Sequence, residues 1–305
     1  MRPILLLLPL LAATAPAPAP APAREPELAD LLTLDRDQPV VPVEIAGRRL
    51  RLAVDLSGKG TVDLNPAAAA GLGNLRFGGA PDAVLGAETL KGRQARAVAR
   101  IGGMAVPLVV TDYDRPVADG VDGTIAAALL PYRTVRLARP GAAPVAATRL
   151  TFPLVDDDAN GSHVRMATPS GPLFILFGLD RAETVATRSA GTRLAALGGG
   201  RIEGPVTPMP GAFGLPRDTR RLTFARPVAL AGRVVRSVAV RIDDYRGRQG
   251  FPAAPGPPGA LVVQARPKPG ETWPAILLGR DRLGDCPEIV LTRAPATITL
   301  ACTAP

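Results

Sequence analysis

Few side chains in this sequence could do chemistry, and the shortage itself narrows the options. His163 is the single histidine, which removes most Ser-His and Cys-His mechanisms and leaves a zinc-type site without a second imidazole. It follows Asp156-Asp157-Asp158-Ala159-Asn160-Gly161-Ser162, a polar turn on which it is expected to be exposed. The three aspartates lack the alternating spacing and downstream glutamate of a calcium loop, so they read as a solvated loop. No metal and no other cofactor is expected. Cys286 and Cys302 are the two cysteines, flanking strand-like runs at 288–291 and 297–300. A turn at 293–296 would fold those runs antiparallel, and an oxidising compartment would join the sulfurs in a disulfide. Carboxylates remain. Asp55 taken alone reads as a turn aspartate accepting backbone N–H bonds, and its interest comes from its place in an internal repeat that also contains Asp180.

The elements that would position these residues are strands. Pro 34 and Gly 32 point to turns rather than long helices. Apolar runs at 41–45, 50–54, 95–101, 106–110, 134–137, 221–224 and 234–242 stand between turn signals, the spacing of an all-β sandwich or barrel. Short helices are expected at 66–70, with Pro66 in the first turn, and at 192–197, each followed by glycine. Residues 52–62 lead into the first helix as residues 175–185 lead into the second. Placing Thr61-Val62 on Thr184-Val185 puts Leu56 on Leu179 and Asp55 on Gly178. Gly102-Gly103 before 106–110 has its counterpart in Ala231-Gly232 before 234–242, and residues 122–130 parallel 275–283. Two lobes are therefore expected, 24–160 and 161–305, with the Pro-rich segment 251–269 as a surface loop of the second.

Composition sets the outer limits. At 47% hydrophobic and 21% charged, the chain can bury a large core, which excludes wholesale disorder and collagen-like repetition. Lys+Arg 36 against Asp+Glu 27 leaves a formal +9 that is almost all arginine, the reading of a solvated basic surface. No basic block or aromatic-spaced basic stripe marks a nucleic-acid groove, so nucleic acid is not an expected partner. Arg2, the apolar run 4–11 and small residues 12–15 have the form of a secretory signal, followed by a Pro-Ala spacer to residue 23. That run is too short to cross a bilayer, so no membrane span is expected and the location is periplasmic or secreted.

The order of motifs is specific enough to resemble a family. Strand, Asp, small residues, Thr, short helix, glycine-bounded strands and then an apolar-apolar-Gly-x-Asp-x-Leu element resemble the retropepsin-like aspartic peptidases. The likeness is to their bilobal, exported bacterial members and covers about residues 38–302. Leu277-Leu278-Gly279-Arg280-Asp281-Arg282-Leu283 carries the last element, while the first half has Ala126 in place of its glycine. The resemblance implies two similar β-barrel-like lobes related by duplication, each giving one catalytic Asp. The two carboxylates would share one proton. One would activate water as a base, and the other would protonate the peptide carbonyl.

Asp55 falls on the first catalytic position, with Leu56 and Ser57 where the family has Thr/Ser and Gly. The second position falls on Gly178, and Asp180 two residues on is the carboxylate that could stand in. Substrate contacts carried over are Ser57, Gly58 and Thr61 from the first turn, and Gly178 and Thr184 from the second. Asp281 is implied as a structural residue beneath the turn, and a flap is implied around 84–95, with no tyrosine to pin it. Two functions follow. One is an acid-favouring endopeptidase using Asp55 and Asp180; the other is a non-catalytic relative binding extended peptide in the cleft by strand addition. Either takes a peptide or protein partner, and a monomer is expected.

Overall fold

The computed structural model describes residues 28–85, 88–141, 148–157, 160–242 and 273–303. The expected signal and spacer (1–23) and the Pro-rich segment 251–269 lie outside the described residues. In the first half the elements are β1 (Ala29–Asp35), β2 (Val40–Ile45), β3 (Arg48–Asp55), β4 (Val62–Leu64) and α1 (Pro66–Ala70). There follow β5 (Gly78–Leu85), β6 (Glu88–Ile101), β7 (Met104–Tyr113), β8 (Gly123–Ala126), β9 (Tyr132–Ala138) and β10 (Thr148–Pro153). The second half runs β11 (Val164–Met166), β12 (Leu173–Phe177), β13 (Val185–Ala186), α2 (Arg188–Gly198), β14 (Gly200–Pro210) and β15 (Pro216–Leu230). It ends with β16 (Arg233–Arg241), β17 (Ala275–Leu278), α3 (Arg280–Leu283), β18 (Glu288–Arg293) and β19 (Ala296–Cys302).

The fold is all-β, and its halves repeat one plan. The first seven-stranded sheet has the order β2-β3-β8-β4-β7-β6-β5, and the second β11-β12-β17-β13-β16-β15-β14. Each step agrees in sense: β3 and β12 pair parallel with β8 and β17, β4 and β13 pair antiparallel with the same strands, and β4 and β13 pair parallel with β7 and β16. In the first half β2 also pairs with β6, closing six strands into a barrel. Alternation drives this arrangement: in β3, Leu50, Leu52 and Val54 point into the core while Arg51 and Asp55 face out. β5 and β14, each at one end of its sheet, are rich in Pro and Gly. An edge position tolerates the missing ladder donor.

A third sheet, β1-β9-β18-β19-β10, interleaves strands from both halves. The 288–302 hairpin, expected within the second lobe, pairs through β18 with β9 of the first half. Cys286 and Cys302 close that hairpin with a disulfide. One apolar core runs through all three sheets, from Leu52 and Ile125 through Leu137 and Leu300 to Ile276 and Leu278.

α2 starts earlier than the sequence suggests. Thr187 caps it, its hydroxyl accepting from the Ala190 N–H at 3.3 Å, and Gly199 ends it at φ +67°. His163 corrects an expectation: it is 3% exposed rather than solvated. Its backbone pairs with Val155, and its ring stands edge-on to Phe174 and Trp273, which stack on each other at 3.9 Å.

Candidate active site

The first turn begins where β3 ends. Asp55 lies opposite Ala126 of the parallel strand β8. The Ser57 N–H donates to Asp55 Oδ1 at 2.8 Å, which fixes the carboxylate over its own turn. The Ser57 hydroxyl crosses to the other half, accepting from the Phe177 N–H at 2.7 Å and donating to the Phe177 carbonyl at 3.2 Å. Gly58 is required by its neighbour: a Cβ there would stand 2.9 Å from Ala126 Cβ. The small residue that the first half carries at 126 in place of glycine is thus accommodated from across the turn. Gly161, at φ +76°, seats the inter-lobe loop on this turn, since a Cβ at 161 would come within 2.1 Å of the Ser57 carbonyl.

The second turn has the same frame and different chemistry. Gly178 follows β12, and its N–H donates to the Leu278 carbonyl at 2.9 Å. Its missing side chain leaves a space that Asp180 uses: Asp180 Oδ1 lies 3.1 Å from where a Gly178 Cβ would sit. Two residues of extended chain would carry a side chain about 6.5–7 Å onward, but here the turn folds the carboxylate back. Asp180 Oδ2 is ion-paired with Arg181 Nε at 2.8 Å.

Strand register corrects one superposition. Val54 and Val62 flank Ile125 in the first half. In the second, Phe177 pairs with Leu278 and Val185 with Leu277, which places Thr184, one residue earlier, opposite Leu278. Thr184 therefore occupies the inward place of Val62, and the second turn is one residue shorter. It is 1% exposed and does not line the cleft. Its hydroxyl accepts from the Gly279 N–H at 3.1 Å and donates to Asp281 Oδ1 at 2.8 Å. Thr184 is a strut, not a substrate contact, and Asp281 is its partner beneath the turn. Gly178 likewise stays behind the cleft wall that Leu179 and Asp180 form.

Asp55, Ser57, Gly58, Thr61 and Asp180 all line one cleft of about 1350 Å³ between the halves. That exceeds the volume of an ordinary small-molecule pocket. The Asp55 carboxyl is open to the cleft yet walled by protein. Desolvation pushes it up to about 6, against the Ser57 N–H, with the charges of Asp180 and Asp63 adding and Arg181 opposing. Asp63, a residue the sequence reading did not single out, also lines the cleft. Burial raises it, opposed by hydroxyls of Thr111 and Thr61 and by the charge of Lys59. Lys59 is itself lowered by burial.

The roof comes from both halves. The β5–β6 hairpin and the loop joining β14 to β15 meet in a small separate cluster of Ala83, Leu90, Tyr113 and Leu215, with Leu85 and Phe213 against it. Gly86 and Ala87, at the expected flap tip, lie outside the described residues. The described part of that hairpin is held across the cleft, Leu85 and Leu90 packing in one cluster with Leu215 and Phe213 of the second half. Tyr113 of β7 sits opposite Gly92 of β6, and its ring meets Phe213 at 4.8 Å, edge to face. Burial, with Asp63 and Asp82 nearby, pushes the Tyr113 hydroxyl up to about 12.

Asp285, Cys286 and Cys302 form a cluster of potential ligand atoms, but the disulfide takes both sulfurs. No helix among the described residues is long and apolar enough to cross a membrane. No family model and no curated protein matches the chain. Among solved structures, one match is an EIAV protease complexed with the inhibitor HBY-793, at 16% identity and a TM-score of 0.25. It covers 29% of this chain and 81% of that chain.

Proposed function

We propose that this chain is an exported aspartic endopeptidase that cuts extended peptide laid in the inter-lobe cleft, with Asp55 and Asp180 as its two carboxylates. The observation that carries this reading is the fold-back of Asp180 over Gly178, 3.1 Å from the vacant Cβ position. It supports reading Asp180 as the second half's counterpart of the Asp55 carboxylate. In this reading Asp55 holds a proton below a pH of about 6, and Asp180, ion-paired with Arg181, serves as the base. Asp180 takes a proton from water as the water oxygen bonds to the peptide carbon, and Asp55 gives its proton to the carbonyl oxygen. Collapse of the tetrahedral diol breaks the C–N bond. The proton on Asp180 goes to the departing nitrogen, and a diol hydroxyl returns one to Asp55.

The test is cleavage of a denatured protein at pH 3–6 by the wild type and by Asp55→Asn. Activity in the wild type alone is expected; the same background from both eliminates the peptidase reading. The other reading, peptide binding without cleavage, is favoured by the engagement of Asp180 with Arg181. It would show as unlabelled peptide retained by both proteins with no product. The Cys286–Cys302 disulfide supports an oxidising compartment. Export requires that the protein recovered from outside the cytoplasm lack its first 15 to 23 residues by mass.

A further inference from the structure

The second turn carries Arg181 where the first carries Gly58, so a long cation replaces an absent side chain next to the candidate carboxylate. Its guanidinium has two sets of partners. Nε lies 2.8 Å from Asp180 Oδ2, and Nη1 donates to the carbonyls of Pro210 at 3.1 Å and Gly211 at 2.8 Å. Those carbonyls stand at the end of β14, where the roof loop begins. Two residues later Phe213 holds φ +56°, a left-handed conformation that a bulky residue avoids unless its surroundings impose it. Phe213 is the residue that meets Tyr113 of the opposite lobe.

We propose, resting on the paired-aspartate reading above, that Arg181 is a positioning residue coupling closure of the β14–β15 roof loop to the placement of the Asp180 carboxylate. With the loop down, two neutral acceptors and one carboxylate hold the guanidinium, and Asp180 stays folded over Gly178. When the loop lifts, Arg181 loses the carbonyls, and Asp180 loses a fixed partner. Substrate that closes the roof thereby sets the aspartate pair. The charged groups facing Asp55 are Asp180 and Arg181 from the second turn and Asp63 from β4, with Lys59 beside Asp63. Arg181 is the cation of this set that also touches the roof.

Coupling of this kind is reciprocal, so it can be read from both ends in the full chain. In Arg181→Gln, the carboxyl-carbon NMR titration of Asp55 is expected to move upward by about half a unit or more, because the cation offsetting Asp180 is gone. In Asp180→Asn, amide hydrogen exchange at residues 211–215 is expected to quicken at least about threefold, because the roof anchor has lost its ionic tie. Arg181 acts on Asp55 by its charge whether or not it holds the loop, so the exchange arm separates the two roles: a residue that merely braces the loop would leave residues 211–215 unchanged in Asp180→Asn. An unmoved titration in Arg181→Gln, or unchanged exchange in Asp180→Asn, overturns the proposal. Neither readout needs turnover. Absence of cleavage by the wild type would remove the peptidase reading and leave the coupling result standing.

Discussion

The two turns of this molecule share a backbone plan and divide its chemistry unequally. The first reads Asp55-Leu56-Ser57-Gly58, the second Gly178-Leu179-Asp180-Arg181. In the first, the carboxylate sits at the strand end, and the serine clamps the opposite lobe through Phe177. In the second, the strand end is bare, the carboxylate occupies the clamp position and swings back, and no reciprocal clamp to the first lobe is seen among the described residues. Acidity is divided as unequally. Asp63 lies in the cleft beside the first turn, where register puts Val185 in the second half. A duplicated frame thus fixes where side chains can arrive, not which residue delivers them.

The comparison breaks first at Asp55. Asp55→Asn is expected to lower the cleavage rate at pH 5 by a factor of about a hundred or more; a smaller loss would remove the first turn from the chemistry. Gly178→Ala sharpens the second turn. Its methyl would stand 3.0 Å from Leu277 Cδ1 and 3.1 Å from Asp180 Oδ1. The carboxylate must therefore shift by a few tenths of an ångström, with an expected rate loss of about tenfold. An unaltered rate would mean that the fold-back has no part in catalysis.

Ser57→Ala leaves the Phe177 N–H and carbonyl without their cross-lobe partner. About 1–3 kcal/mol of stability is expected to go with it, read as a fall in denaturant midpoint. Thr184→Val keeps the shape of a buried residue and removes its links to Gly279 and Asp281. It is expected to cost about 1 kcal/mol while KM for peptide stays unchanged; a raised KM would restore Thr184 as a substrate contact.

The smallest effect is in the pH dependence of stability. Asp55 has a folded pKa near 6, above its ordinary value, so the folded state binds the extra proton. Stability contributed by neutral Asp55 is full below about pH 4 and is lost as pH rises through about 6. Discounted for the water in the cleft, the loss is about 1 kcal/mol. Asp55→Asn is therefore expected to melt about 2 °C above the wild type at pH 7 and level with it near pH 3.5.

Much of the frame was legible because alternation is strong in the central strands. The runs at 41–45, 50–54 and 234–242 fall within β2, β3 and β16 or one residue past its end. α1 spans the residues expected of it. The edge strands β5 and β14 were not legible, because Gly78, Gly79, Pro205 and Pro208 hide the period that an edge can forgo. The shared sheet was not legible either, since β9 meets β18 across some 150 residues of sequence and no local pattern encodes that pairing.

At the site, the repeat put Asp55 opposite Gly178 with Asp180 two residues on, but matching threonine to threonine put Thr184 one place off. Burial is the physical reason: the 184 position faces the core, and a threonine survives there by satisfying its hydroxyl on Asp281. The Ser57 clamp was not legible, because its partner Phe177 lies 120 residues away and no local pattern encodes that contact. His163 was misplaced because polar neighbours say nothing about Phe174 and Trp273, which enclose its ring.

The central claim is that both halves deliver a carboxylate to one reaction. It is tested most directly by the initial rate at pH 5 on a denatured protein substrate, wild type beside Asp180→Asn. The expected result is measurable wild-type cleavage that falls at least about a hundredfold in the variant. Equal rates in the two proteins, whether high or at background, would contradict it.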